Sequence, residues 1–264
     1  MRLASLIAGL LVSVSAVAAP GPLDGGRAAV TSSILPENDL WKEDCQTCLT
    51  GTDMTKELFE EIMDAAVDTF QAEASRRNET IVINRLWDDA TVNANVHRTE
   101  YSGGHVVINM YGGLARRPEI NPSALALVVC HELGHAYAGL PFVDAKTELS
   151  AEGMADYFAT RNCYSRIYMK VPGIRRMPLE QTKYTRSHCY FNNDICQSGL
   201  AGALSLATLL SNVMRSEIPP AFETPDFYVT PETLLSYPGT AQCRLDTYVA
   251  GLYYDKKPAC WFKD

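Results

Sequence analysis

Apolar residues recur at helical spacing in "GTDMTKELFEEIMDAAVDTFQAEASRR", where Met54, Leu58, Ile62, Ala65, Ala66 and Phe70 fall on one face. This predicts an amphipathic helix over about 52–77, with Thr52 or Asp53 able to cap it. The period then shortens to two. "TIVINRLWDD" (80–89), "TVNANVHRTE" (91–100) and "HVVINMYGGL" (105–114) alternate β-branched and polar residues, and "YSGG" separates the last two runs. They predict a small antiparallel meander. Asn121-Pro122 opens a helix, with the Asn as cap and the Pro at the first helical position, and this helix runs to Gly139. "LPFVDAKT" is a loop, and a second helix follows from about Glu148 to Arg166. Past Pro172 the pattern weakens. "HCYFNNDICQSG" reads as a stapled loop, and "GLAGALSLATLLSNVMRS" (199–216) as an apolar core helix too short for a membrane anchor. The fold class is α+β: a small antiparallel sheet packed on helices.

The first eighteen residues carry Arg2, an apolar run and the ending Ala16-Val17-Ala18, the pattern of a secretory signal peptide. The apolar run is too short for a membrane span, so the expected product is exported, periplasmic or secreted, without stable membrane insertion. Residues 19–45 form a leader expected to pack loosely, and residues 46–264 a single domain with a disulfide-stapled C-terminal part. All eight cysteines lie after the signal, an even count that favours disulfides in an exported chain. The pair "CQTC" (Cys45, Cys48) is better explained by a structural disulfide than by a redox or zinc motif, because no βαβ pattern surrounds it. A formal charge of −8, with no basic stripe, argues against nucleic acid and anionic membrane as partners.

Candidate chemistry centres on "VVCHELGHAYAG". Residues four apart share a helix face, so His131 and His135 can present two imidazoles to one ion, with Glu132 beside them to polarise a metal-held water. Catalytic zinc takes three protein ligands and keeps a fourth position for water. The metzincin pattern is excluded, since Pro141 stands where its third histidine would be. "ELSAEGMADYFA" supplies the missing carboxylate. Glu148, Glu152 and Asp156 recur every four residues; Glu152 with Asp156 one turn on serves as ligand and orienting partner, and Glu148 competes for the ligand role.

"CHELGH" followed by "EGMAD" resembles the gluzincin metallopeptidases of the HtpX and CAAX-prenyl-protease type, in particular their soluble minigluzincin module. "TVNANVH" and "GGHVVINMYGGL" are similar to that family's Asn-Ala segment and to the strand before its active-site helix, and the likeness covers about residues 50–165. The resemblance implies a zincin-like domain holding one Zn2+ per chain, with His131, His135 and Glu152 as ligands. It further implies Glu132 as general base and acid, Asp156 behind a ligand histidine, and strand 105–114 as the rim that pairs with a peptide or unfolded protein substrate. The chain departs from the family in lacking transmembrane helices and the C-terminal His-Pro dipeptide. Tyr237-Pro238 stands there, and Tyr237 and Arg244 are the candidates for stabilising an oxyanion. His97 and His105 read as strand residues rather than ligands, His188 as a residue that either reaches the cleft or caps a loop, and Cys130 as a core or disulfide residue. Two functions follow: an exported zinc endopeptidase, or a non-catalytic zinc-containing binding or chaperone-like module on the same fold.

Overall fold

The computed structural model describes residues 34, 35, 37, 54–99, 104–177, 179, 182–190, 193–236 and 239–264. The expected signal peptide, most of the expected leader, the Cys45/Cys48 pair and Tyr237 lie outside the described residues. Of the leader, Ile34 donates its N–H to Val92 O at 3.0 Å, and Ile34 and Leu35 pack against the core.

Helix α1 (Lys56–Arg76) starts at Thr55, whose Oγ1 accepts from Leu58 N at 3.2 Å, rather than at Thr52 or Asp53. Burial decides between the candidate caps. With Thr55 as cap, Met54 precedes the helix and Phe59 sits one turn in, and both are fully buried, the arrangement of a hydrophobic staple.

Strands β1 (Thr80–Leu86), β2 (Ala94–Arg98) and β3 (His105–Tyr111) form one sheet in the order β1-β3-β2. The β2–β3 hairpin is antiparallel as the sequence predicts, but β1 pairs with β3 in parallel, so the sheet is mixed and not an antiparallel meander. Residues 87–93 carry the chain past the position beside β1, and β3 returns into the middle. There Val106, Ile108 and Met110 bury one whole face, which suits the central strand, whereas β2, nowhere fully buried, takes the edge. The strand stops at Tyr111, because Gly113 N donates to Asp89 O and the chain turns into the short helix α2 (Gly112–Ala115).

Helix α3 (Pro122–Tyr137) is capped by Asn121, whose Oδ1 accepts from Ala124 N at 2.8 Å, with Pro122 opening the first turn. Every residue of α3 is buried, so it is the axis of the molecule, and it ends at Tyr137, before Gly139 takes a φ of +84°. Next comes a two-stranded hairpin, β4 (Phe142–Asp144) and β5 (Leu149–Ser150). The predicted helix over 148–166 therefore starts later, at Glu152, because Leu149 and Ser150 pair with β4 and Glu148 sits at a φ of +49°. From there α4 (Glu152–Phe158), a π-helical stretch (Ala159–Tyr164) and α5 (Ser165–Lys170) follow without a break.

The rest is helical: α6 (Pro172–Arg175), α7 (Lys183–His188), α8 (Asp194–Met214) and α9 (Ala241–Tyr253). Helix α8 lies along α3 and begins before the predicted position 199, capped by Asn193. Disulfides join Cys130–Cys163, Cys189–Cys196 and Cys243–Cys260, the second closing the predicted stapled loop. The class is mixed α+β, with a small sheet packed against helices. Disulfides suit an oxidising, exported setting. Among the described residues no helix is long and apolar enough to cross a membrane.

Candidate metal centre

His131 and His135 stand one turn apart on α3, with ring centroids 4.5 Å apart and Nε2 atoms 3.0 Å apart. The first turn of α4 adds Glu152, whose Oε2 lies 3.3 Å from His131 Nε2 and whose Oε1 lies 3.4 Å from His135 Nε2. Donors held tetrahedrally at about 2.0–2.1 Å from one ion stand about 3.3 Å from each other, so this spacing fits a single small cation. All three residues are buried.

Gly134 allows α4 to come this close. A Cβ there would lie 2.8 Å from both Cα and the carbonyl oxygen of Ala155, so the two helices touch backbone to backbone. The N-terminal N–H of α4 is anchored as well, Glu152 N donating to Leu235 O at 3.3 Å.

Each imidazole is fixed from behind. Ser150 O, which can only accept, lies 2.7 Å from His135 Nδ1; Nδ1 therefore carries the proton and Nε2 turns its lone pair to the donor group. His131 Nδ1 lies 2.8 Å from Asp156 Oδ1 in the same way. With both Nδ1 atoms acting as donors, the Nε2 atoms of two neutral rings would face each other lone pair to lone pair at 3.0 Å. That arrangement asks for a positive charge between them, either a metal ion or, without one, a proton on His131 Nε2, and the buried Glu152 Oε2, which accepts no other hydrogen bond, faces the same point.

Behind His131, Arg244 on α9 grips Asp156 with two bonds, Nε to Oδ2 at 2.7 Å and Nη2 to Oδ1 at 2.6 Å. Its Nη2 also lies 3.5 Å from Glu152 Oε2 and 3.5 Å from the Tyr248 hydroxyl. Three carboxyl groups, of Glu132, Glu152 and Asp156, share this buried space with the Arg244 guanidinium and the two imidazoles, so the charge each carries depends on the others. Burial works against charge on Glu152, yet His135 and His131 hold its carboxyl well below the ordinary range. Burial likewise opposes ionisation of Asp156, and Arg244 and His131 outweigh it. Burial disfavours a charged His131 too, but Asp156 and Glu152 prevail and push its pKa up to about 10. Glu132 differs from the other two carboxyl groups. Burial raises its pKa, with the two imidazoles pulling the other way.

The structure thus brings together His131, His135 and Glu152, places Asp156 behind His131, and puts Glu132 beside His131 with 6 % of its surface exposed. Glu148 is off the helix and outside this group. Arg244 is buried against Asp156, and Tyr237 lies outside the described residues. Cys130 is disulfide-bonded, His188 stacks on Tyr184, and His97 and His105 lie on β2 and β3. Strand β3 is paired on both sides, so it has no edge to offer a peptide, and that role cannot fall to 105–111. A second grouping, Asp226 with Cys243 and Cys260, has both sulfurs in a disulfide. Sequence patterns miss Ser150, which acts through its backbone carbonyl and leaves no side-chain signature, and Tyr248, whose one signal is its place one turn after Arg244.

These observations define a mixed α+β protein with a buried His131–His135–Glu152 group that could hold a metal ion. No protein-family model, curated protein or solved structure matches the chain.

Proposed function

We propose that the chain is an exported zinc endopeptidase of the zincin type, similar to the minigluzincins, acting on peptides or unfolded proteins. The observation that carries this reading is Glu132: a buried carboxyl group that interacts with both imidazoles and with Glu152 and is not one of the three converging donors. A purely structural site has no use for it. His131, His135 and Glu152 would hold the ion, and a two-histidine, one-carboxylate donor set suits zinc with a fourth position left for water. Zinc bound there supplies a Lewis acid that polarises the scissile carbonyl and acidifies water.

The chain's own residues do the rest. Glu132 takes the proton of the attacking water and returns it to the leaving amine. Burial raises its pKa, the direction that suits a group which must first take a proton and then give it back. Asp156, braced by Arg244, keeps the His131 ring aimed, and Ser150 O does so for His135. Arg244 acts from behind the donors as an electrostatic brace. The substrate backbone pairs with β2, the one of the sheet's two edge strands that packs on α3. Strand pairing fixes the peptide carbonyl without regard to side chains.

The test is made on the purified chain without residues 1–18. It should bind about one zinc per chain, as the three-donor group requires, and cleave casein. Glu132→Gln should keep the zinc and lose cleavage. Cleavage that survives in Glu132→Gln overturns the mechanism, and a wild-type chain that binds zinc but cuts no peptide favours a binding module.

A further inference from the structure

Arg98 closes β2, and its guanidinium is buried in the junction between that strand, the end of α3 and the turn before β5. Its side chain is 6 % exposed and that of its partner Glu79 is 5 % exposed. Nε donates to Glu79 Oε1 at 2.8 Å, Nη1 to Thr147 O at 2.9 Å and to Glu148 O at 3.2 Å, and Nη2 to Ala136 O at 2.6 Å.

The acceptors converge on one metal-site residue. Ala136 follows His135 in α3. Thr147 and Glu148 form the turn that leads into β5, where Ser150 O meets His135 Nδ1. One guanidinium therefore holds both the residue after His135 and the turn that leads to its partner Ser150, while belonging to an edge strand of the sheet. Burying an ion pair carries a large desolvation cost, and apolar packing would join a strand to a helix as well. The planar fork of Arg does something else, since it fixes three backbone carbonyls at set angles.

We propose that Arg98 is a positioning residue that locks β2 to His135, so that a peptide paired with β2 meets the metal site in a single register. This rests on the metallopeptidase reading. Arg98 acts through β2 and His135 and touches neither substrate nor metal.

The experiment uses the full chain without residues 1–18 and two variants. Glu79→Gln/Arg98→Met removes both buried charges together, so that neither is stranded. Arg98→Lys keeps a charge for Glu79 and covers the case in which the double variant does not fold. Zinc affinity is read by competition with a chromogenic chelator, kcat and KM on a fluorogenic peptide, and folding by thermal melting. Both variants are expected to hold zinc about 10-fold or more weakly, as losses behind a metal ligand do. With zinc saturating, kcat should fall by about 100-fold in the double variant, the scale of a small misplacement, with KM nearly unchanged and Arg98→Lys intermediate. Wild-type zinc affinity and kcat overturn the proposal, as do losses that merely track the unfolded fraction. If the wild-type chain cuts no peptide, the metallopeptidase reading fails and the lock to substrate falls with it. Zinc affinity then still decides the link to His135.

Discussion

Asp156 Oδ1 is shared between His131 Nδ1, at 2.8 Å, and Arg244 Nη2, at 2.6 Å, with no exposed surface on its side chain. The carboxylate thus has two duties: it neutralises a buried guanidinium and orients an imidazole. Asp156→Asn should fail at both. Breaking a buried ion pair from one side costs about 3–5 kcal/mol, and losing the partner of a ligand histidine costs about 10–100-fold in metal affinity. Thermal melting and chelator competition read the two effects separately. A variant with lower stability but unchanged metal affinity would show that the His131 contact is incidental.

The same pair sets what metal uptake does to protons. The carboxylates raise His131 to about 10 against the effect of burial, above its ordinary 6.5. In the metal-free chain the imidazolium therefore contributes stability that is complete below about pH 6.5 and is lost as pH rises through about 10. At pH 7 the ring is charged, and a cation can enter only by displacing that proton. Zinc uptake by the chelated protein at pH 7 should release about one proton, seen as a calorimetric heat that varies with the ionisation enthalpy of the buffer. Release should decline as pH rises through about 10. A heat independent of buffer at pH 7 contradicts the charged ring.

Gly134 separates the two ligand histidines from the helix that carries Glu152. In Gly134→Ala the new methyl would meet backbone atoms of Ala155 at 2.8 Å, and backbone cannot rotate aside as a side chain can. Overpacking of this kind costs about 1–3 kcal/mol. The strain pushes α4 outward and takes Glu152 with it, so metal affinity should fall along with stability. Wild-type metal affinity in Gly134→Ala would mean that α4 is positioned from elsewhere.

What could be foreseen from sequence was what rests on local periodicity. His131 and His135 share a face because the helix repeats every 3.6 residues, and Asn121-Pro122 announces where that helix begins. The same logic fails at Glu148. Its spacing of four from Glu152 is real in the sequence, but Leu149 and Ser150 find partners in Phe142–Asp144, a pairing no helical pattern reveals. Strand order is non-local too. Alternation marks β1, β2 and β3 as strands, but only burial of Val106, Ile108 and Met110 puts β3 in the middle. Ser150 and Arg98 act through main-chain carbonyls, and any residue type could supply those acceptors.

Strand order also decides how a peptide could enter. Thr99 N donates to His105 O at 3.0 Å, which makes that pair a hydrogen-bonded rung of the β2–β3 ladder. Rungs alternate, so the N–H and C=O of His97 point to β3, and those of Val96, opposite Ile108, point away from it toward the edge. Val96→Pro therefore removes no ladder bond. Proline is tolerated on an edge strand where its missing N–H would have faced outward. Some apolar packing is lost with the valine side chain, which is partly buried against the core. Metal affinity should hold, because no donor residue or orienting partner is touched. Cleavage should not. A peptide that pairs with β2 loses one backbone bond and meets the proline ring, so kcat/KM should drop by about 10-fold or more, each factor of ten being about 1.4 kcal/mol. Peptide assays on Val96→Pro and on Val107→Pro, where the substitution breaks a β2–β3 bond instead, separate the two effects. Val96→Pro with full kcat/KM would place the substrate on a surface other than this edge.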